Sequence, residues 1–263
     1  MRALALIFAV TICLLLQQPA SAQDTKPLFD PSIFGRELVS QVEKSVIAIW
    51  IFQPNAAMGF QSGVGIGSGV IFQAIPEENA AYALTNHHVA GEASLLQCET
   101  WDNSTYMAHM VATEPGIDTA VIRIENIPPD AYEVAVLGDS DAVQIGEPAL
   151  AMGAPGSMLS YNTNRSDPSI SFGLHNTATM RVVQGKSTNA MRFASFWSGW
   201  KSGLGQQVMT NLPWTMVTQS AVNGGNSGGP LFNAQGECIG LNHAGFNAGS
   251  MIAQDQNYTC LLY

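Results

Sequence analysis

The sequence predicts an all-β fold of short antiparallel strands, arranged as a sandwich or a barrel. Beyond Lys44, short runs rich in β-branched and aromatic residues alternate with Gly, Asn, Asp and Pro. No segment of helical length and period lies between these runs, which argues against βαβ units. The 25 glycines and 13 prolines among 263 residues are a composition that supplies many tight turns.

One helix is predicted before the strands. Asp30 and Pro31 can serve as its N-cap and first residue, and Phe34, Leu38 and Val42 then recur every four positions on one face. The strand runs form two sets that are joined near residues 138–146. They are Val46–Ile51, Gly69–Phe72, Tyr82–Thr85, Ala120–Ile124 and Val134–Leu137, followed by Ala149–Met152, Met180–Val183, Thr215–Thr218 and Cys238–Leu241.

The first 22 residues have the pattern of a secretory signal peptide. Arg2 precedes an apolar run of 14 residues, Ala3–Leu16, and Ala20-Ser21-Ala22 is a small-x-small cleavage site. A membrane-spanning helix needs about 20 apolar residues, so this run is too short to be an anchor. We therefore expect cleavage after Ala22, an exported protein without a membrane anchor, and 263 − 22 = 241 residues for folding.

The composition excludes several kinds of partner. Ten Lys and Arg against 20 Asp and Glu give a formal net charge of −10, which disfavours binding to nucleic acids and anionic membranes. Apolar residues make up 46% of the chain, so disorder is not expected. The CxxC and HExxH patterns are absent, and we predict neither a metal nor a cofactor.

Three cysteines follow the signal peptide: Cys98, Cys238 and Cys260. An odd number allows at most one internal disulfide. Cys238 and Cys260 are the favoured pair, because they flank a predicted terminal hairpin. Three buried thiols are the alternative.

The run Asn223–Leu231 is the most informative segment, because four glycines surround Ser227. Such a backbone can turn tightly and expose the hydroxyl group. A serine that attacks a carbonyl also needs two donors for the developing oxyanion, and the N–H groups of Gly225 and Ser227 are suitably spaced. A plain glycine-rich turn would not need so extended a pattern.

A serine nucleophile needs a base, and the base needs an orienting carboxylate. Among five histidines, His88 is favoured by its place where a strand ends, with the adjacent His87 as its rival. Asp118 directly precedes an apolar strand and is the favoured carboxylate. The weaker candidates are Asp102, Asp139 and Asp141.

Four segments together resemble the HtrA/Do-like branch of the trypsin-like, chymotrypsin-fold serine proteases: Gly67–Ile71, Leu84–Val89, Ile117–Val121 and Gly225–Leu231. The resemblance implies two antiparallel six-stranded β-barrels with the active site between them. His88 would be the general base, Asp118 the orienting carboxylate and Ser227 the nucleophile. HtrA proteins carry PDZ domains after the protease, and none is expected in these 263 residues.

The resemblance also implies the domain boundaries. A helical segment at 23–44 would precede a protease domain at 45–263, with the first barrel at about 45–140 and the second at about 141–263. Related proteins are often trimers, so a homo-oligomer is expected.

The substrate pocket is placed by the same resemblance. Its floor would be Ala221, six residues before the nucleophile, and its other residues would be Val222, Asn223, Asn242, His243 and Ala244. A small neutral floor offers no carboxylate to Lys or Arg and favours small or medium apolar side chains. Related glutamyl endopeptidases bind glutamate through a pocket histidine, so His243 keeps that specificity open.

We therefore expect an exported serine endopeptidase that cleaves polypeptides through an acyl-enzyme. The alternatives are a glutamyl-specific endopeptidase and a catalytically silent protease-fold protein with a binding or chaperone-like role. The intact His–Asp–Ser set favours the enzyme. The order of these residues and the lack of βαβ units exclude an α/β-hydrolase esterase.

Overall fold

The computed structural model describes residues 31–54, 61–91, 93, 95–154, 177–187, 191–195, 208–212, 215–218, 225–246 and 256–261. The chain divides into two compact units, residues 1–34 and 35–263. The predicted signal peptide lies outside the described residues. None of the helices within those ranges has the length and apolar character needed to cross a membrane.

The described elements are mostly strands. Helix α1 (Pro31–Val42) comes first and helix α2 (His87–Ala90) is a single turn, and short 3₁₀ turns occur at Glu43–Ser45, Pro76–Glu78, Pro115–Ile117 and Pro129–Ala131. The strands are β1 (Val46–Pro54), β2 (Gln61–Ile75), β3 (Ala80–Thr85), β4 (Leu95–Glu99), β5 (Thr105–Glu114), β6 (Thr119–Ile124), β7 (Val136–Leu137), β8 (Pro148–Gly153), β9 (Thr177–Ser187), β10 (Met191–Ser195), β11 (Val208–Leu212), β12 (Thr215–Thr218), β13 (Pro230–Phe232), β14 (Glu237–Phe246) and β15 (Gln256–Leu261).

The first six strands close into an antiparallel barrel in the order β1-β2-β3-β6-β5-β4. Alternating residues of β6 are buried, as expected of a strand with one face on the core. The side chains inside this barrel form one cluster, whose large aliphatic members below 2% exposure are Ile47, Ile49, Ile71, Leu96, Ile122, Ile124 and Ile127.

Removing one of these side chains should destabilise the barrel. We expect Ile122→Ala to lower the free energy of unfolding by about 2–5 kcal/mol, because Ile122 is fully buried and its neighbours cannot fill the cavity. Urea denaturation measures the change. Val111→Thr at an exposed position of β5 is the matched control. Equal unfolding midpoints for the two variants would contradict this packing.

The second barrel is formed by β13-β8-β9-β12-β15-β14, and pairing of β13 with β14 closes it. Strand β7 adds to β14 in parallel, so the chain reaches this sheet at Val136. Its core cluster is Val143, Ala149, Ala151, Val183, Met216, Leu231 and Ile239. Strands β10 and β11 pair in a separate ribbon. The predicted all-β fold with two six-stranded barrels is confirmed.

All the predicted strand runs but one lie within observed strands, although β2, β9 and β14 extend well beyond the predicted runs. Helix α1 begins at Pro31, and Leu38 and Val42 are buried as predicted. In the predicted run Val134–Leu137, only the last two residues pair, and the side chain of Val134 is exposed. Strands β4, β5, β10, β11 and β13 were not predicted. Both faces of β5 are largely exposed, so its sequence has no clear alternation of apolar and polar residues.

The favoured disulfide is wrong. Cys98 and Cys238 are buried free thiols. In the β14–β15 register, Cys260 lies opposite Leu241, three residues along the strand from Cys238. That offset is about 10 Å, beyond the Cα separation that a disulfide bridges. Burial raises the pKa of the Cys238 thiol to about 12, so this thiol is unreactive at neutral pH.

Candidate active site

The pairing of β3 with β6 brings His88 and Asp118 together. The two strands are antiparallel, and Thr85 at the end of β3 lies opposite Ala120 at the start of β6. His88 follows β3 in the single turn of α2, and Asp118 directly precedes β6. Residues 30 positions apart in sequence therefore meet at one rim of the first barrel.

Asp118 holds His88 through two hydrogen bonds. Its Oδ2 lies 2.6 Å from His88 Nδ1, and its Oδ1 accepts from the His88 backbone N–H at 2.8 Å. The Asp118 carbonyl also accepts from Asn86 Nδ2 at 3.0 Å and from the His87 backbone N–H at 3.1 Å. Asp118 has φ +53°, a left-handed conformation that aspartate tolerates better than most residues. Hydrogen bonds to both the side chain and the backbone carbonyl thus hold Asp118 in place.

The protonation states follow from this arrangement. Burial by itself raises the pKa of Asp118, but the nearby imidazoles of His243 and His88 outweigh it and hold the pKa well below its usual range. An ionised carboxylate only accepts hydrogen bonds, so Nδ1 of His88 carries a proton. In the neutral ring Nε2 then keeps its lone pair, as a general base requires.

The alternative candidates for the base and for the orienting carboxylate make other contacts. Nδ1 of His87 is 2.7 Å from Thr113 Oγ1, so this ring turns away from Asp118. Asp102 accepts from Thr100 and Ser104 within one turn, and Asp139 accepts from the Asp141 backbone N–H. These carboxylates organise turns.

Ser68 on β2 ties the loop that contains Ser227 to the first barrel. Its Oγ donates to the Gly225 carbonyl at 2.7 Å, and its backbone N–H donates to the Ser227 carbonyl at 2.8 Å. The same Oγ accepts from the Ala154 N–H at 2.8 Å, and the Ser68 carbonyl accepts from Thr85 Oγ1 at 2.7 Å. Ser68 is fully buried, so all these bonds are shielded from water.

These bonds orient the peptide groups around Ser227. The carbonyls of Gly225 and Ser227 are bound by Ser68, and the Asn226 carbonyl accepts from the Gly229 N–H. Among the described residues, no partner is recorded for the N–H groups of Gly225 and Ser227. Two backbone N–H groups two residues apart are the kind of donor pair that an oxyanion site requires.

Gly228 can only be glycine. Its φ is +82°, and a Cβ there would lie 2.2 Å from Thr85 Oγ1 and 2.4 Å from the Ser68 carbonyl oxygen. The close approach of the two backbones, which Ser68 bridges, therefore requires a residue without a side chain.

Removing the Ser68 hydroxyl should loosen this loop. We expect Ser68→Ala to lower kcat about 10- to 100-fold with little change in KM, because a buried bond that sets the Gly225 peptide is lost. Peptide-hydrolysis kinetics measure both constants. Ser45→Ala removes a buried hydroxyl that bonds to Val42 far from the site, and it should keep wild-type kinetics. A Ser68→Ala enzyme with unchanged kcat would contradict the role.

His243 on β14 contacts both Ser227 and the His88–Asp118 pair. Its carbonyl accepts from Ser227 Oγ at 3.4 Å. Its ring meets the His88 ring edge-on, with centroids 5.7 Å apart, and its Nδ1 lies 2.5 Å from Asp118 Oδ2. The same Oδ2 atom of Asp118 thus contacts both imidazole rings. The structure thus groups His88, Asp118, His243 and the Ser227 loop.

The other predicted pocket residues are placed only in part. Ala221, Val222 and Asn223 lie outside the described residues. The Asn242 amide donates to the carbonyls of Met152 at 3.1 Å and Pro230 at 3.3 Å, which braces the second barrel. The backbone of Ala244 pairs with Tyr258 on β15.

Two histidines and one aspartate are ligands typical of a metal site, and the site contains His88, Asp118 and His243. Their nitrogen and oxygen atoms, however, lie close enough to contact one another directly. Their ligand atoms lie within 4.8 Å of one another, and the two imidazole nitrogens lie 2.6 Å and 2.5 Å from the carboxylate oxygen. Ligands of a tetrahedral zinc ion lie about 3.3 Å apart, as Zn–N bonds of about 2.0–2.1 Å require. We assign these contacts to a charge network.

Comparison with known proteins decides the family. The profile described as "Trypsin-like peptidase domain" matches residues 67–241, which include Ser68, His88, Asp118 and Ser227. This chain belongs to the trypsin-like peptidase family. The resemblance to HtrA-type proteases is confirmed by the relatives of this trypsin-like peptidase.

One relative is the periplasmic serine endoprotease DegP of Escherichia coli, 32% identical over 184 residues, which are 70% of this chain and 31% of DegP. The chain thus spans about a third of the length of the curated relatives that it matches. The HtrA-type protease AlgW with a tripeptide superimposes with a TM-score of 0.58 at 25% identity, over 86% of this chain and 59% of AlgW. The active form of the Rv3671c protease from M. tuberculosis shares the fold, with a TM-score of 0.62 at 19% identity over 88% of this chain and 82% of that one.

Sequence reasoning missed two features of the site. Ser68 lies in the segment Gly67–Ile71, but no local pattern distinguishes its hydroxyl from that of any other serine. The contact of His243 with Asp118 had no sequence signal, because it joins residues 125 positions apart on different barrels.

Proposed function

We propose that this trypsin-like peptidase is an exported serine endopeptidase that cleaves polypeptides through an acyl-enzyme. His88 removes the proton of Ser227, Asp118 orients His88, and the N–H groups of Gly225 and Ser227 bind the oxyanion. The observation that carries the proposal is the buried carboxylate of Asp118 against His88 Nδ1, beside a serine loop that Ser68 ties to the same barrel. A binding protein would have no need of an oriented base.

The proposed preference is for small or medium apolar side chains before the scissile bond. Ala221 at the pocket floor brings no charge to the substrate. His243 is buried against Asp118, so its ring is engaged within the site, which disfavours the glutamyl-specific alternative. Export rests on the signal pattern of residues 1–22 and on the periplasmic relatives. Assembly into a homo-oligomer, expected as a trimer, belongs to the same proposal.

Labelling with a fluorophosphonate and digestion of casein test the proposal together. We expect the probe to react with the native protein and the adduct to map to Ser227 by mass spectrometry. The casein fragments should carry Val, Ala or Leu at their new C-termini, because these residues precede the scissile bond. Heat-denatured protein is the control, because labelling requires the assembled site. Native protein that neither labels nor cleaves would support the binding role, and cleavage after glutamate would support the alternative specificity.

A further inference from the structure

Asn86 lies at the start of α2 but does not cap this helix with its side chain. An asparagine in that place commonly accepts a hydrogen bond from the second or third backbone N–H of the helix. The backbone of Asn86 has the extended conformation of an N-cap residue, yet its side chain makes no such bond. The second N–H group, that of His88, donates instead to Asp118 Oδ1 at 2.8 Å. The carboxylate of Asp118 therefore provides the cap that the Asn86 side chain would provide.

The side chain of Asn86 binds the backbone of Asp118 in return. Its Nδ2 donates to the Asp118 carbonyl at 3.0 Å, and the His87 backbone N–H donates to the same oxygen at 3.1 Å. A carbonyl oxygen has two lone pairs, so these two donors satisfy it fully. Residues 86–88 thus hold both the carbonyl and the carboxylate of Asp118.

This exchange of partners leaves Asn86 with an unsatisfied acceptor. Asn86 is fully buried, and no hydrogen-bond partner is recorded for its Oδ1 within the part of the chain that the structure describes. A buried polar atom without a partner is destabilising. A side chain that served only to stabilise α2 would use this oxygen to accept a bond from the first turn. The departure from that arrangement indicates that the bond to Asp118 has a function of its own.

The left-handed backbone of Asp118 explains why this bond is needed. Its φ of +53° is uncommon for a residue other than glycine, and it persists only where the surroundings hold it. In this conformation Oδ1 meets the backbone of His88 and Oδ2 meets its ring. On its other side, the backbone nitrogen of Asn86 would lie 2.9 Å from a Cβ on Gly228. Asn86 thus lies between the orienting carboxylate and the loop that contains Ser227.

We propose that Asn86 is a positioning residue of the active site, whose amide fixes the Asp118 backbone and thereby sets the carboxylate against His88. This inference rests on the proposed function. Without the Asn86 amide, the Asp118 carbonyl would keep one donor and its peptide group could rotate. The carboxylate would then move relative to His88, and a displacement of about 1 Å is enough to slow catalysis strongly.

Kinetics of two variants test the proposal. Asn86→Ser and Asn86→Asp both keep a side-chain oxygen that can cap α2. Neither can replace the donor, because serine is one atom shorter and a carboxylate only accepts hydrogen bonds. We expect kcat to fall about 10- to 100-fold in both, with KM within about twofold of wild type, since the contacts with bound substrate are unchanged.

Asn233→Ser is the matched control. Asn233 is a partly buried asparagine whose amide donates to Glu237 Oε2 at 2.7 Å, in the turn between β13 and β14. Its replacement should leave kcat at the wild-type value. Equal kcat values for Asn86→Ser and Asn233→Ser would overturn the proposal.

A double-mutant cycle with Asp118→Asn shows through which residue Asn86 acts. If Asn86 works by placing the Asp118 carboxylate, its replacement should matter little once that carboxylate is gone. We expect Asn86→Ser to change kcat by less than about twofold in the Asp118→Asn background. An undiminished loss in that background would overturn the proposal, because Asn86 would then act on the fold or on another group.

Hydrogen exchange separates this inference from the proposed function, because it needs no turnover. The N–H of His87 donates to the Asp118 carbonyl, whereas the N–H of Ala90 donates to the Asn86 carbonyl. In Ser227→Ala protein, we expect added Asn86→Ser to speed exchange about tenfold at His87 and to leave Ala90 unchanged. This result in a chain that never cleaves peptides would refute the peptidase and retain the positioning of Asp118. Unchanged exchange at His87, or equal acceleration at Ala90, would overturn the inference even in an active enzyme.

Discussion

Ser227→Ala is expected to lower kcat for peptide hydrolysis about 10⁶-fold, the largest effect of any single substitution in this chain. The acyl-enzyme cannot form without the hydroxyl, so the orienting residues have no nucleophile to assist. The fold should survive, because the hydroxyl makes one long bond of 3.4 Å to the His243 carbonyl. Steady-state kinetics on a chromogenic peptide and loss of fluorophosphonate labelling measure the change.

Ser104→Ala is the control for this prediction. Ser104 bonds to Asp102 in a turn of the first barrel, away from the nucleophile loop, and its loss should leave kcat unchanged. A Ser227→Ala protein that retains more than about 1% of wild-type turnover and still labels would show that another residue is the nucleophile.

Asp118→Asn is expected to lower kcat about 10⁴-fold. The carboxylate accepts the Nδ1 proton of His88 at 2.6 Å, whereas an amide nitrogen placed there would donate instead. The imidazole would then carry its proton on Nε2 and could not accept one from Ser227. Asparagine tolerates the left-handed backbone of this position, so the barrel should stay folded.

Kinetics of Asp118→Asn together with its thermal unfolding separate catalysis from stability. Asp102→Asn is the matched control, because Thr100 and Ser104 hold that carboxylate in an exposed turn. An Asp118→Asn enzyme within tenfold of wild type would mean that His88 takes its orientation from elsewhere.

A comparison of individual strands shows which parts of the fold the sequence could predict. The strands around His88 and Asp118 were predicted because their buried faces contain strongly apolar residues, and the hydrophobic effect acts on that pattern locally. Strand β5 was missed because it is held by hydrogen bonds to β4 and β6 while most of its side chains remain exposed. A strand of this kind leaves no alternation in the sequence.

The disulfide is a feature that the sequence could not predict correctly. Two cysteines near a predicted hairpin looked suitable for pairing, but the register of β14 and β15 sets them about 10 Å apart along the strands. The register of β14 and β15 depends on which of their residues the second barrel buries. No local property of the two cysteine segments contains that information.

The sequence by itself determined the fold class, the serine loop and the choice of His88 and Asp118 as candidates, since each follows from short-range pattern and residue chemistry. The tertiary structure alone decided that Ser68 ties the loop to the first barrel and that His243 shares the Asp118 carboxylate. Both features depend on contacts between segments of different barrels. Such contacts exist only once the chain has folded, because packing brings residues together without regard to their separation in sequence.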